Sequence, residues 1–292
     1  MTTQKTAFIT GAAMGMGAMK AKKLAERGWQ VFAGVLPGAD TSELGDNPNI
    51  IKVEQDVTSD KSVTKSAKTV AKHLGDRPLD LLINNAGIAN KGTGPVEGIN
   101  MEEMRFLFEV NTFGPMRVCQ AFLPMIRRGA GSSRIINFAS GAVRANPVCS
   151  GSYNMSKWAV EGLTCTLRNE LAPFGIEVTS IEPGAVKTHM TANAEETTKD
   201  IWRGISDEVK AVYEPHLRET TTTKMVEQIN AGNDPDYVTD GVLALLEKKT
   251  WKPRYLVGKD VKALNVMLNV MTERGAEKAI QKAVGIPQYG KG

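Results

Sequence analysis

Tyr153 and Lys157 stand four residues apart in Tyr153-Asn154-Met155-Ser156-Lys157. On a helix that spacing puts both side chains on one face. A phenol beside an ammonium can move a proton to or from a hydroxyl. A free tyrosine, with a pKa near about 10, is a poor base at neutral pH. A lysine cation about 4 Å away, at an effective dielectric of about 20, is worth roughly 4 kcal/mol. That is about three pKa units, enough to bring tyrosinate within reach. The same spacing also arises in any amphipathic helix with a snorkelling lysine, so the surrounding residues decide. A serine nucleophile is disfavoured, because Ser140 and Ser152 lack a Gly-x-Ser-x-Gly context.

A second chemical feature lies near the start. Thr10-Gly11-Ala12-Ala13-Met14-Gly15-Met16-Gly17 follows an apolar run and opens a helical pattern. Glycines there permit a tight turn and close approach of backbone N–H groups to a pyrophosphate at a helix N-terminus. No Gly-Lys-Ser/Thr follows, which excludes a P-loop.

The elements that must carry these groups alternate as strands and helices. Strands are expected at 5–10, 29–35, 49–54, 79–84, 134–139, 175–181 and 255–258, with helices from Gly15 to about Arg27 and over 59–74, 102–128, 152–171 and 261–284. Pro115 and Pro124 predict a bend or break within 102–128. Continuous apolar runs such as Leu81-Leu82-Ile83 indicate strands buried on both faces. The pattern predicts an α/β fold, a doubly wound Rossmann sheet of seven parallel strands with helices on both faces, as one domain over 1–292. Leu36–Pro48 is too short for a full crossover helix. Helical patterns occur at 199–213 and 236–248, within an insertion at about 188–250 that reads as a lid over the ligand end.

Taken in order, these motifs resemble the short-chain dehydrogenase/reductase family. Thr10–Gly17 matches its TGxxxGxG signature, Asn84-Asn85-Ala86-Gly87 its NNAG motif, Asp56-Val57 its adenine-contacting pair, and Pro183-Gly184 with Thr188 its PGxxxT segment. The resemblance spans about residues 5–190. It implies a catalytic tetrad of Asn111, Ser140, Tyr153 and Lys157. Ser140, 13 residues before Tyr153, would hold the substrate oxygen, and Asn111 would hold a water beside the lysine. It also implies an NAD or NADP site formed by Gly11, Met14, Gly15, Met16, Gly17, Asp56, Val57, Asn85, Ala86, Gly87, Tyr153, Lys157, Pro183, Gly184, Val186 and Thr188. The diagnostic positions at the end of the second strand hold Gly34 and Val35, and Met14 replaces a common basic residue. With no cation there for a 2′-phosphate, the reading leans to NAD, subject to Asp40 and Lys52.

Ala142, Val143, Val148, Cys149, Met190 and Trp202 form a largely apolar candidate pocket, suited to a hydrophobic alcohol or ketone. The insertion, the Val31-Phe32-Ala33-Gly34 run and the long C-terminus are similar to the retinol and hydroxysteroid dehydrogenase branch. A small hydroxy acid remains an alternative, with Arg144 as a carboxylate partner or else a solvated residue. A silent protein that senses NAD(P) is another. Family likeness implies a homodimer or homotetramer through helices 102–128 and 152–172.

Composition bounds the rest. The 292 residues carry a net charge of +4, too weak to argue for nucleic acid or a membrane surface. No apolar run reaches 18 residues, and Met1–Lys5 lacks the features of a signal peptide. Cys119, Cys149 and Cys165 suit a reducing, cytoplasmic setting; Cys149 reads as a small pocket wall and the other two as core. His73, His189 and His216 are scattered, and no metal site is expected.

Overall fold

The computed structural model describes residues 4–187 and 201–286. Seven strands form one sheet: β1 (Thr6–Ile9), β2 (Gln30–Val35), β3 (Ile50–Glu54), β4 (Leu81–Asn84), β5 (Arg134–Phe138), β6 (Glu177–Pro183) and β7 (Arg254–Val257). Their order is β3-β2-β1-β4-β5-β6-β7 and every pairing is parallel. This is the doubly wound sheet that the alternating pattern predicts. The chain starts at β1, moves outward to β3, then crosses back to β4 on the other side of β1. That reversal opens a crevice at the carboxyl ends of β1 and β4.

The strands are apolar on both faces because both faces are covered. Over one face, α1 (Gly15–Glu26) contributes Ala18, Ala21, Leu24 and Ala25, and α9 (Pro235–Leu243) contributes Val238, Val242 and Leu243. Over the other lie α2 (Asp60–Leu74), α4 (Gly114–Arg127) and α6 (Gly151–Leu171), with Val70, Phe122 and Leu167 among their buried residues. Thr6 and Asp80 tie the amino ends of β1 and β4 together: the Thr6 N–H donates to Asp80 Oδ2 at 2.8 Å.

The break expected within residues 102–128 is present, and two other expected helices are corrected. The broken stretch divides into α3 (Met101–Phe108), a π-helical turn (Glu109–Phe113) and α4. The irregularity lies just ahead of Pro115, which sits in the first turn of α4, while Pro124 is carried inside that helix. The expected C-terminal helix 261–284 is two helices, α10 (Lys259–Val270) and α11 (Glu273–Ala283). Met271 is extended, and the Thr272 hydroxyl caps α11 by accepting the Gly275 N–H. The helix expected over 199–213 is displaced to α7 (Asp207–Glu219), capped by Ser206. It is followed by α8 (Met225–Asn230) and then α9. Between β2 and β3 there is only a 3₁₀ turn, Ser42–Leu44. Among the described residues no helix is long and apolar enough to cross a membrane.

Candidate active site

The expected motifs meet at the carboxyl ends of the strands. At the β1/β4 crevice the Thr10 hydroxyl accepts the N–H groups of Asn85 (3.0 Å) and Ala86 (2.9 Å). Asn85 Nδ2 donates in return to the carbonyls of Thr10 (3.0 Å) and Gly11 (3.1 Å). The glycine loop is thus strapped to the Asn85–Gly87 segment. A Cβ on Gly11, at φ +62°, would lie 2.9 Å from Ala86 Cα, and one on Gly17 would lie 2.2 Å from the Gly11 carbonyl oxygen. Only glycine permits this fold. Met14 precedes α1 without a side-chain cap, Met16 is half-buried against the core and Gly17 is buried. Asp56 accepts from the Thr58 N–H and hydroxyl in a local turn, and Val57 is buried against Gly114.

On the chemical side, Gly87 packs against two of the expected catalytic residues. A Cβ there would stand 3.3 Å from Asn111 Oδ1 and 3.4 Å from Lys157 Nζ. Asn111 lies in the π-helical turn, 1 % exposed. Its amide accepts the Ile88 N–H (2.9 Å) and donates to the Ile88 carbonyl (2.8 Å) and to Ser156 Oγ (3.2 Å). Single π-helical turns occur often at functional sites. Ser140 follows β5 and accepts the Ala142 N–H at 3.1 Å, at the head of the short helix α5 (Ala142–Ala145). Tyr153 and Lys157 lie on the first turns of α6, with Lys157 Nζ 5.7 Å from the Tyr153 ring centroid.

The electrostatics differ from the expectation drawn from spacing. Burial pushes the Tyr153 phenol above its ordinary value, and a hydrogen bond with Ser140 opposes that push more weakly. Burial also lowers the Lys157 ammonium from 10.5 to about 8. Its proton donates to the Phe138 carbonyl at 3.0 Å. Burial of both groups therefore opposes the lowering of the phenol that proximity of the lysine favours.

Behind Ser140 lies a network that spacing did not reveal. Glu182, fully buried at the end of β6, takes both Arg144 contacts, from Nε (2.7 Å) and Nη2 (3.0 Å). Arg254 joins Glu182 (3.2 Å) to Glu161 of α6 (3.1 Å). Arg144 is therefore not simply a solvated residue, since Glu182 engages its Nε and Nη2. The Pro183 carbonyl accepts the Gly141 N–H at 2.8 Å, which fixes the Ser140 turn against β6. Beyond it, Asp260 packs against Gly184 and accepts the Ala185 N–H at 2.7 Å, and Val186 bridges to Asn233. Thr188, His189 and Met190 lie outside the described residues.

Of the expected pocket, Ala142 and Val148 are half-buried and Val143 is buried. Cys149 and Trp202 meet in an apolar cluster with Ile201, and Tyr213, Leu217 and Met225 pack on it. Burial pushes the Cys149 thiol up to about 11, so it is an un-ionised thiol rather than a nucleophile. Cys149 and Asn146 both adopt the left-handed conformation, which marks the loop between Ser140 and Tyr153 as conformationally demanding. Cys119 is buried, while Cys165 is only half-buried. Among the described residues no cluster of three or more His, Cys, Asp or Glu could hold a metal.

An adenine dinucleotide fits what is present. A glycine turn leads into a helix N-terminus whose first N–H, that of Gly15, already holds an anionic group, the Glu43 carboxylate, at 2.7 Å. Those amides face the reversal point of the sheet, with the tyrosine and lysine at the neighbouring strand ends.

Comparison with known proteins agrees with this geometry. The short chain dehydrogenase family pattern matches residues 5–199. Retinol dehydrogenase 7 of Rattus norvegicus is 33% identical over 263 residues, 88% of this chain and 82% of the relative. The 17-beta-hydroxysteroid dehydrogenase type 6 of Homo sapiens is 32% identical over 272 residues, 91% of this chain and 84% of the relative. Among solved structures, a short chain dehydrogenase from Burkholderia cenocepacia in complex with NADP superposes with a TM-score of 0.71 at 26% identity, covering 97% of this chain and 98% of that one. Ordered motifs, strand topology and sequence identity thus converge, and the chain belongs to the short-chain dehydrogenase/reductase family, in the branch of the retinol and hydroxysteroid dehydrogenases.

Proposed function

We propose that this enzyme interconverts a hydrophobic secondary alcohol and its ketone with NAD(P), using Tyr153 as the proton donor and acceptor. The observation that carries the reading is the meeting of Asn111 and Lys157 at Gly87, with the Tyr153 ring beside Lys157 and Ser140 on the phenol. Gly11–Gly17, Asp56, Val57, Asn85–Gly87 and Pro183–Val186 would hold the dinucleotide, whose nicotinamide supplies or accepts hydride. Ser140 orients the substrate oxygen toward the phenol. Tyr153 gives that oxygen its proton in reduction and takes it back in oxidation. Its raised pKa keeps it protonated at neutral pH, which suits the donor role. Lys157, at about 8, holds its proton below that pH and adds positive charge behind the phenol. Asn111 anchors the Ile88 backbone and Ser156, next to the lysine, where a solvent relay to Tyr153 would begin.

Two features support an apolar substrate. The Cys149, Ile201 and Trp202 cluster is apolar. Arg144, the one cation that the sequence offered beside Ser140 for a carboxylate, is engaged by Glu182. Exposed Phe113 and Met116 near the start of α4 and exposed Trp158 on α6 support pairing of two chains through these helices. The test is turnover on a panel of apolar secondary alcohols and ketones alongside 3-hydroxybutyrate, with each nicotinamide cofactor. Conversion of the apolar set is expected. Conversion of 3-hydroxybutyrate alone would replace the substrate class, and no conversion with intact cofactor binding would favour a sensor.

A further inference from the structure

The turn that carries Ser140 is held from outside. It runs from β5 into α5, a helix of 4 residues. A helix so short is not stable by itself. The Ala142 N–H at its head donates to Ser140 Oγ at 3.1 Å, and Asn146 ends it in the left-handed region at φ 45°. Whatever fixes the direction of α5 therefore fixes the Ser140 hydroxyl. Two consecutive residues at the end of β6 do this. The Pro183 carbonyl accepts the Gly141 N–H at 2.8 Å. The packing there is close: a Cβ on Gly141 would stand 3.0 Å from that oxygen and 3.0 Å from Val261 Cγ2 of α10. Glu182 takes the body of α5 through Arg144, whose Nε meets Oε2 at 2.7 Å and whose Nη2 meets Oε1 at 3.0 Å.

A guanidinium on both oxygens of one carboxylate fixes orientation as well as distance. Glu182 is fully buried and the Arg144 side chain is 21% exposed. Such a pair is a weak source of stability, because desolvation offsets much of its attraction and apolar residues of similar size hold two elements as firmly. What the fork adds is direction. Arg254 steadies the carboxylate from the other side, since it meets Glu182 Oε1 at 3.2 Å and Glu161 of α6 at 3.1 Å. We propose that Arg144, held by Glu182, is a positioning residue for the reaction: it fixes α5 so that Ser140 Oγ accepts the Ala142 N–H and aims its own proton at the substrate oxygen beside Tyr153. The proposal rests on the dehydrogenase reading of Ser140 and adds to it a pair that does not itself touch the substrate. Displacement of a positioned group by about 1 Å can cost about 10²-fold in rate.

A double-mutant cycle tests this, with kcat and KM measured for a ketone that the wild type reduces. Wild type, Ser140→Ala, Arg144→Gln and the two substitutions combined are compared, with urea unfolding and NAD(P)H titration of each. Arg144→Gln should lower kcat by roughly 10–100-fold and leave cofactor affinity within about threefold. On the Ser140→Ala background the same substitution should lower kcat by less than about threefold, because the hydroxyl that Arg144 positions is gone. Losses that multiply in full would show a general structural effect and overturn the proposal. Arg144→Met combined with Glu182→Leu keeps the test open if Arg144→Gln does not fold, since it leaves no lone charge at position 182. It should be at least as stable as Arg144→Gln and keep the low kcat, whereas wild-type kcat in this apolar pair would overturn the proposal. Turnover by Ser140→Ala equal to wild type would bring down the reading of Ser140 itself. A Ser140-dependent enzyme whose Arg144 variants match wild type would overturn the positioning role alone.

Discussion

Replacing Lys20 with methionine should stabilise the protein, and the gain should shrink as the pH rises. Lys20 lies on α1, fully buried, and its Nζ has no hydrogen-bond partner among the described residues. The ammonium sits 4.4 Å above the Phe138 ring centroid. Burial lowers its pKa from 10.5 to about 7. In the unfolded chain the lysine is protonated up to about pH 10. Below pH 7 both states are protonated, and the folded one carries the full cost of a buried cation. At 1.36 kcal/mol per pKa unit, that cost is about 4 kcal/mol near pH 7. As the pH rises from 7 toward 10.5, the folded state binds fewer protons than the unfolded one, so stability climbs. The climb between pH 7 and pH 9 is about 2 kcal/mol. The aromatic face already offsets about 1 kcal/mol. Methionine, unbranched and apolar, fills the same path. Urea unfolding followed by tryptophan fluorescence should show Lys20→Met more stable by about 3 kcal/mol at pH 7 and by about 1 kcal/mol at pH 9. A variant less stable than wild type, or a difference independent of pH, would refute the reasoning and require a partner for Nζ.

Three further outcomes follow from the geometry. Glu182→Gln leaves Arg144 and Arg254 facing an uncharged amide; because Arg254 is half-exposed, the expected loss is about 3 kcal/mol in chemical unfolding. Gly11→Ala drives a Cβ to 2.9 Å from Ala86 Cα at a left-handed φ. It should cost roughly 1–3 kcal/mol and weaken cofactor binding more than overall stability, read by parallel titration and unfolding. Because the Tyr153 pKa is raised, alcohol oxidation should increase steadily on the alkaline side while ketone reduction falls, read as kcat against pH in each direction.

Much of this arrangement is legible from residue order because it is local. The strands announce themselves as short apolar runs, since α1 and α9 cover one face and α2, α4 and α6 the other. The glycine loop, Asp56-Val57, Asn84–Gly87, Ser140 and Pro183-Gly184 lie at strand ends, so placing the strands places them. What escaped depends on contacts between distant segments. Glu43 and Gly15 are 28 residues apart, and nothing at the end of β2 predicts their hydrogen bond. Lys20 had a readable signal, because it shares the buried stripe of Gly17, Ala21 and Leu24 on α1. Glu182 had one too, as a carboxylate directly ahead of the Pro183-Gly184 motif at the end of β6. The break at Met271–Thr272 is masked by apolar periodicity that continues across it, while the Thr272 cap decides the outcome. For the Tyr153–Lys157 pair spacing reports proximity alone, while burial of both groups opposes their charged forms.

The most direct measurement compares wild type with Tyr153→Phe for two quantities in one preparation, NAD(P)H affinity and turnover of an apolar ketone that the wild type reduces. The phenylalanine variant keeps the ring and loses only the hydroxyl. Cofactor affinity should stay within about threefold, while turnover should fall by about 10²–10⁴-fold. Turnover equal to wild type, with the cofactor bound as before, would contradict proton transfer through Tyr153.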